Sequence, residues 1–198
     1  MSKAERTCQF IIEQTAPVFN KQGYAGTSLS DLTAATGLTK GAIYGNFESK
    51  EEVALAAFDY NLGLIQDGLR AGTAGAGTAR EQLMALPRFY RAAFPKLSQV
   101  GGCPILNAAV EVDDAPPSAL LQRVKDSVRR WHRHLVRLIE AGQQAGEIQQ
   151  QADGGRYATL FIALVEGGIL LARVAGEPSP LHTTLDHIEQ LIDTELAA

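Results

Sequence analysis

Residues 27–50 read TSLSDLTAATGLTKGAIYGNFESK. Ser28 and Asp31 have the S-x-x-[DE] spacing of a capping box, which predicts a helix starting near Leu29. Leu32 and Ala35 give that helix an apolar side, and Gly37 ends it, because glycine tolerates the left-handed conformation of a helix stop. Thr39 caps a second helix that runs through Ala42, Ile43 and Tyr44 to Phe47. Two short helices joined by a glycine-containing turn make a helix-turn-helix, whose second helix enters the major groove of DNA.

The second helix has two unlike sides. Ile43 and Phe47 lie four residues apart and share one inward face. Lys40, Gly41, Ala42, Tyr44 and Asn46 are small or polar: the small ones permit close approach to DNA and the polar ones supply hydrogen bonds. Ser49 and Glu52 form another capping box and start a third helix, with Lys50 at its positive end, where a phosphate can dock. The candidate DNA contacts are therefore Ser28, Ser30, Thr39, Lys40, Gly41, Ala42, Tyr44, Asn46 and Lys50.

The run GYAGTSLSDLTAATGLTKGAIYGNFESKEEVALAAF resembles the DNA-binding signature of the tetracycline-repressor (TetR) family of bacterial transcriptional regulators. The shared elements are T-S-x-x-D, A-x-x-G-x-[ST]-K-G and Y-x-x-F-x-S-K-E, within a match that spans roughly residues 5–60. This composite is far more specific than a bare helix-turn-helix. The resemblance implies an all-helical homodimer. A small N-terminal domain would bind a palindromic operator, and a variable C-terminal domain would bind a small effector that releases the DNA. It also implies a phosphate contact for Tyr44. Lys40, at the start of the recognition helix, is suited to either a guanine or a phosphate.

Composition agrees with a folded regulator. The chain has 198 residues, 45% of them hydrophobic, and a net charge of −4, which argues against a protein that coats nucleic acid generally. Residues 1–50 carry +1, so the remainder carries −5. The N-terminus lacks an apolar leader core, and Cys8 and Cys103 lack C-x-x-C spacing, so a reducing cytoplasm is expected. The pairs His132/His134 and His182/His187 are poorly spaced for a shared metal, and no cofactor or metal is expected. No nucleophile elbow, zinc-protease motif or paired-acid arrangement points to an enzyme. Glu111, Asp113 and Asp114 read as a helix end.

The rest of the chain predicts an all-α fold, with a DNA-binding domain over 1–50 and an effector-binding and dimerisation domain over 51–198. Residues 3–22 form a first helix, with a kink or break expected at Pro17. A helix from Glu51 to Ala71 is the expected lever between domains, and the glycine-rich 71–79 segment a loop. A helix over 80–94 is expected to stop at Pro95. A short helix follows near Pro104, and after a break at Ala115–Pro117 a long one over 117–145 presents the seam Leu121, Val124, Val128, Trp131, Leu135 and Leu138. The arginines of this long helix read as a solvated face. Two last helices, about 153–174 and 181–196, form an antiparallel pair. The first is apolar enough to suggest a membrane span, but Glu166 at its middle favours a buried helix and no membrane partner.

The implied effector pocket draws on Phe89, Tyr90, Phe94, Cys103, Asn107 and Trp131, large aromatics beside few polar groups. The implied dimer interface draws on Leu164, Gly167, Leu171, Leu185, Ile188 and Ile192. The expected partners are double-stranded operator DNA, a small effector and a second copy of the chain. The alternative is a helical interaction module without effector response.

Overall fold

The computed structural model describes residues 2–114 and 116–198. Among them are nine α-helices and no β-strand: α1 (Lys3–Gln22), α2 (Leu29–Thr36), α3 (Lys40–Tyr44), α4 (Lys50–Thr73), α5 (Ala79–Gln99), α6 (Pro104–Val112), α7 (Ala119–Gln144), α8 (Gly154–Ala175) and α9 (Ser179–Leu191). The last turn, Ile192–Leu196, widens to a π-helix. A single antiparallel bridge joins Ile148 to Ala197. Ala115, part of the expected break at Ala115–Pro117, lies outside the described residues.

The chain forms two compact units, 1–65 with 99–124, and 66–98 with 125–198. These units do not coincide with a division at residue 50. Helices α4 and α7 contribute residues to both, and α6 belongs with the helix-turn-helix rather than with the bundle.

In the first unit α1 packs on α2 and α6. Ile11, Thr15, Ala16 and Phe19 fall on its buried face, as the helical spacing requires. Pro17 does not break the helix, because its missing N–H frees only the carbonyl of Glu13, a residue open to water. The stacked rings of Phe19 and Tyr24, 5.6 Å apart, and the edge contact of Tyr24 with Phe58 at 6.3 Å form the aromatic centre.

In the second unit α5 runs through both Pro87 and Pro95 to Gln99, so the expected stop at Pro95 is corrected. Each proline removes one N–H, and buried Leu83, Leu86, Tyr90 and Phe94 hold the helix against its neighbours on both sides of the first proline. Thr78 and Glu81 cap its start reciprocally. Along α7 the buried face is Leu120, Val124, Ser127, Leu135 and Ile139. The expected seam is met at Val124 and Leu135 but not elsewhere: Val128 is exposed, and Leu121, Trp131 and Leu138 are only half-buried. The arginine-rich side faces water, and the apolar stripe beside it is wide enough that a single line of residues does not describe the buried face.

Helices α8 and α9 pack closely. The contact is possible because Gly168 has no side chain: a β-carbon there would collide with Thr184 Oγ1 and Leu181. Gly167 faces open space instead. Of the α8 residues expected at a dimer interface, Leu164 and Gly167 are half-buried and Leu171 is exposed, as is Val174 three residues on. The inward face is Tyr157, Ala158, Phe161, Val165, Ile169 and Ala172. By length and hydropathy α8 is the one described helix able to cross a membrane, but its packing against α9 is that of a bundle helix.

Gly168→Ala is expected to destabilise the protein by about 1–3 kcal/mol through overpacking. Gly63→Ala, inside α4 where an added β-carbon meets nothing within 4 Å, is expected to be neutral or stabilising by up to about 1 kcal/mol, from helix propensity alone. Urea denaturation of the two variants beside the parent checks the contrast.

Candidate DNA-binding surface

The helix-turn-helix starts from a capping box that forms as the sequence predicts. Ser28 Oγ accepts from the Asp31 N–H at 3.3 Å, and Asp31 Oδ2 accepts from the Ser28 N–H at 2.7 Å and its hydroxyl at 2.6 Å. These bonds, the hydroxyl's first, hold the Asp31 carboxyl below its ordinary pKa. Its contribution to the fold is therefore complete above the ordinary carboxylate range and is lost as the pH falls through the depressed value. Gly37 ends α2 in the left-handed conformation, φ 69°. Thr39 caps α3 by accepting from the Ala42 N–H at 3.2 Å.

The recognition helix is shorter than expected. It ends at Tyr44, with Gly45 as the C-cap, although N–H bonds from Asn46 and Phe47 to the Ile43 carbonyl continue the turn. Ile43 is fully buried and Phe47 nearly so, while Thr39, Lys40 and Gly41 are exposed and Ala42 and Tyr44 half-buried. The Lys40 ammonium sits 5.9 Å from the centre of the Tyr44 ring, so cation and phenol form one outward feature. Ser28 and Ser30, both exposed, stand at the N-terminus of α2. Six of the candidates — Ser28, Ser30, Thr39, Lys40, Gly41 and Tyr44 — thus keep an outward aspect.

Two candidates are turned to other work. The Asn46 amide donates to the Ala42 carbonyl at 2.9 Å, and its Oδ1 lies 3.6 Å from the Cys8 thiol, so the side chain folds back on its own helix. The Lys50 ammonium donates to the carbonyls of Tyr24 at 3.1 Å, Ala25 at 3.3 Å and Thr27 at 2.8 Å. It holds the α1–α2 turn rather than standing ready for a phosphate.

On the other side of that turn stands Glu111 of α6, which the sequence read only as part of a helix end. Its Oε2 accepts from the Tyr24 N–H at 2.7 Å and its Oε1 from the Ala25 N–H. Gly23, φ 85°, makes room: a β-carbon there would lie 3.0 Å from Glu111 Oε2. Burial, then the charge of Glu111, then Cys103, push the Tyr24 phenol pKa well above its ordinary value. The α6 helix is tied down further by Asn107, whose amide donates to the Asn20 carbonyl at 3.0 Å, Asn20 Oδ1 at 3.1 Å and the Gly101 carbonyl at 2.7 Å. Asn20 in turn donates to the carbonyls of Val100 at 2.8 Å and Gly102 at 3.0 Å. Asn107 therefore spends its amide hydrogens on the fold and does not offer them to an effector. The signals in the sequence were Gly23, Gly101 and Gly102, all with positive φ.

The other effector candidates divide. Cys103, 1% exposed, precedes α6 in the first unit. In the second unit Phe89 meets Tyr90 at 5.1 Å edge to face, and Tyr90 meets Trp131 at 6.3 Å. Phe94 is buried one turn further along α5. A cleft of about 490 Å³ opens beside Phe89, with Gly72, Ala76, Ala85 and Arg88 among its walls. His132 Nε2 lies 3.2 Å from both the Gly155 carbonyl and Thr159 Oγ1, which accounts for it as a contact to α8.

Of the dimer candidates, Leu185, Ile188 and Ile192 are fully buried within the protomer and add nothing to an interface. They read as interface because α9 has one apolar face, and that face is used on the chain's own bundle. Leu171 is 55% exposed, beside Leu170 at 48% and Val174 at 81%.

Residues 11–57 match the family of bacterial regulatory proteins, tetR family. Residues 79–188 match the tetracyclin repressor-like C-terminal domain. A TetR-family transcriptional regulator from Cytophaga hutchinsonii is 45% identical, with TM-score 0.92, covering 100% of this chain and 98% of that one. A TetR transcriptional regulator from Chloroflexus aurantiacus J-10-FL is 39% identical, with TM-score 0.94, covering 100% and 99%. The transcriptional repressor DhaR of Mycobacterium sp. (strain GP1) is 27% identical over 177 residues, 87% of this chain and 85% of its own length.

Proposed function

The chain belongs to the TetR family of bacterial regulatory proteins, and from that premise we propose that it represses transcription as a cytoplasmic homodimer, leaving a palindromic operator when a small effector binds. The observation that carries the reading is the two-sided recognition helix: Ile43 and Phe47 anchor it in the core, and Lys40 and Tyr44 stand together on its outer side. Lys40 supplies a cation and Tyr44 a phenol to the phosphates or base edges of one half-site, with Gly41 permitting close approach. Ser30, exposed in the first turn of α2, offers its hydroxyl to a neighbouring phosphate.

The second copy docks on the outward side of α8. Leu164, Gly167, Leu170, Leu171 and Val174 recur at helical spacing there; the first two are half-buried and the other three exposed in the protomer. Exposed apolar stripes of this kind mark interaction sites, and a two-fold partner presenting the same stripe covers both. Two recognition helices then address half-sites about one DNA turn, roughly 34–36 Å, apart.

The effector binds at the aromatic cluster of Phe89, Tyr90, Phe94 and Trp131 in the second unit. It must favour a state that misplaces the recognition helices, since equal affinity for both states shifts nothing. Helix α4 runs unbroken from Lys50, just after the recognition helix, to Thr73, and so can carry the change.

Three outcomes test these parts separately. An operator selected by the protein from random duplexes should bind with a steep salt dependence, and Lys40→Ala or Tyr44→Ala should each weaken it by about 1–3 kcal/mol with helicity unchanged; full binding by both variants refutes the DNA contact. Leu171→Glu should convert a dimer to a monomer in sedimentation at micromolar concentration; a monomeric parent refutes the interface. Titration with apolar metabolites should shift Trp131 fluorescence and lower operator affinity together; an effector that lowers affinity while Trp131 stays silent places its site elsewhere.

A further inference from the structure

We propose that Glu111, on α6 and outside the helix-turn-helix, is a positioning residue for operator binding, which it governs by holding the turn from which α2 starts. The proposal rests on the DNA-binding reading above.

The turn is held from both sides by opposite charges. The two oxygens of Glu111 take the successive N–H groups of Tyr24 and Ala25, an anion seated in a small nest of backbone donors. Lys50 gives its ammonium hydrogens to the carbonyls of the same two residues and of Thr27. Charge-assisted bonds of this kind are about twice as strong as neutral ones. Thr27 closes the turn by donating through its N–H and its hydroxyl to the Gly23 carbonyl. One residue later Ser28 caps α2.

This turn fixes both ends of the recognition segment. Helix α2 begins from it, and α4 is tied to it through Lys50. Helix α3 is strung between α2 and α4 by a three-residue turn at 37–39 and a five-residue one at 45–49. The attitude of α3 thus depends on where the turn sits, and Glu111 ties the turn to α6. Helix α6 is itself seated against the end of α1 by the Asn107–Asn20–Gly101 bonds. Any travel of α6 must either drag the turn or pull the carboxylate out of its donors.

The test uses the full-length protein and the duplex it selects from a random library. Glu111→Gln keeps size and one acceptor but loses the charge; it should lower operator affinity at least about 10-fold while binding to non-operator duplex changes less than 2-fold. Glu111→Asp, which keeps the charge on a shorter arm, should recover part of the loss. In the parent, hydrogen exchange at the Tyr24 and Ala25 amides should slow when the operator binds, a readout that does not require any variant to fold. Operator affinity of Glu111→Gln within 2-fold of the parent, an equal loss on both duplexes, or unchanged exchange at those amides would overturn the proposal. A parent that selects no sequence defeats the DNA-binding reading itself, whereas a parent that selects one while Glu111→Gln matches it defeats only the role of Glu111.

Discussion

Everything at the DNA-binding end depends on how five residues, Gly23 to Thr27, satisfy their backbone. The turn between α1 and α2 contributes no ladder of its own, and Tyr24 and Thr27 are buried. Buried N–H and C=O groups need partners. A carboxylate on one side and an ammonium on the other meet that need, each from a different helix. Removing either partner strands the groups it served, at a cost of about 1–3 kcal/mol for a desolvated polar group. Because the donors and acceptors belong to the backbone, the arrangement is indifferent to most side chains of the turn. It demands glycine at 23, where φ is positive and the carboxylate is close, and at 26, where a β-carbon would lie 2.6 Å from the Gln22 carbonyl oxygen.

This constraint explains why the compact unit around the helix-turn-helix includes α6, more than fifty residues downstream of its last element. The sequence could be cut at residue 50 on motif grounds, but hydrogen bonds that span eighty or more positions, such as Asn20 to Val100 and Tyr24 to Glu111, disregard the motif boundary. The unit is held by a polar network laid over an aromatic centre. Networks of this sort fix a single arrangement when every member is satisfied.

Local rules were legible where capping and periodicity act within a few residues. The capping box at Ser28, the N-cap at Thr39, the stop at Gly37, the core pair Ile43 and Phe47, and the start of α6 at Pro104 are where the residue types put them. What depended on tertiary packing was not legible. Pro17 and Pro95 sit inside continuous helices, each at the cost of one helical hydrogen bond. On α7 the spacing found Val124 and Leu135 and missed Leu120, Ser127 and Ile139. The apolar faces of α8 and α9 looked equivalent in sequence, yet α9 spends Leu185, Ile188 and Ile192 on its own bundle, while α8 has a second apolar side left over. At the candidate site, spacing identified the outer residues of α3. It had no means of showing that Lys50 and Asn46 were occupied by backbone carbonyls, or that Glu111 was the residue to watch.

The shape of α3 has a bearing on how such a protein diverges. Two side chains, Ile43 and Phe47, secure the helix, and Lys40 and Gly41 are exposed in the free protein. Substitutions at exposed positions away from caps and cores typically move stability by no more than about 0.5 kcal/mol. The residues placed to choose a DNA sequence can therefore drift almost without penalty to folding, while the turn at 23–27 and its two charged holders cannot. Duplicated copies of such a gene can acquire new addresses on a chromosome by changing a few outward residues, and the mount that presents them stays as it was.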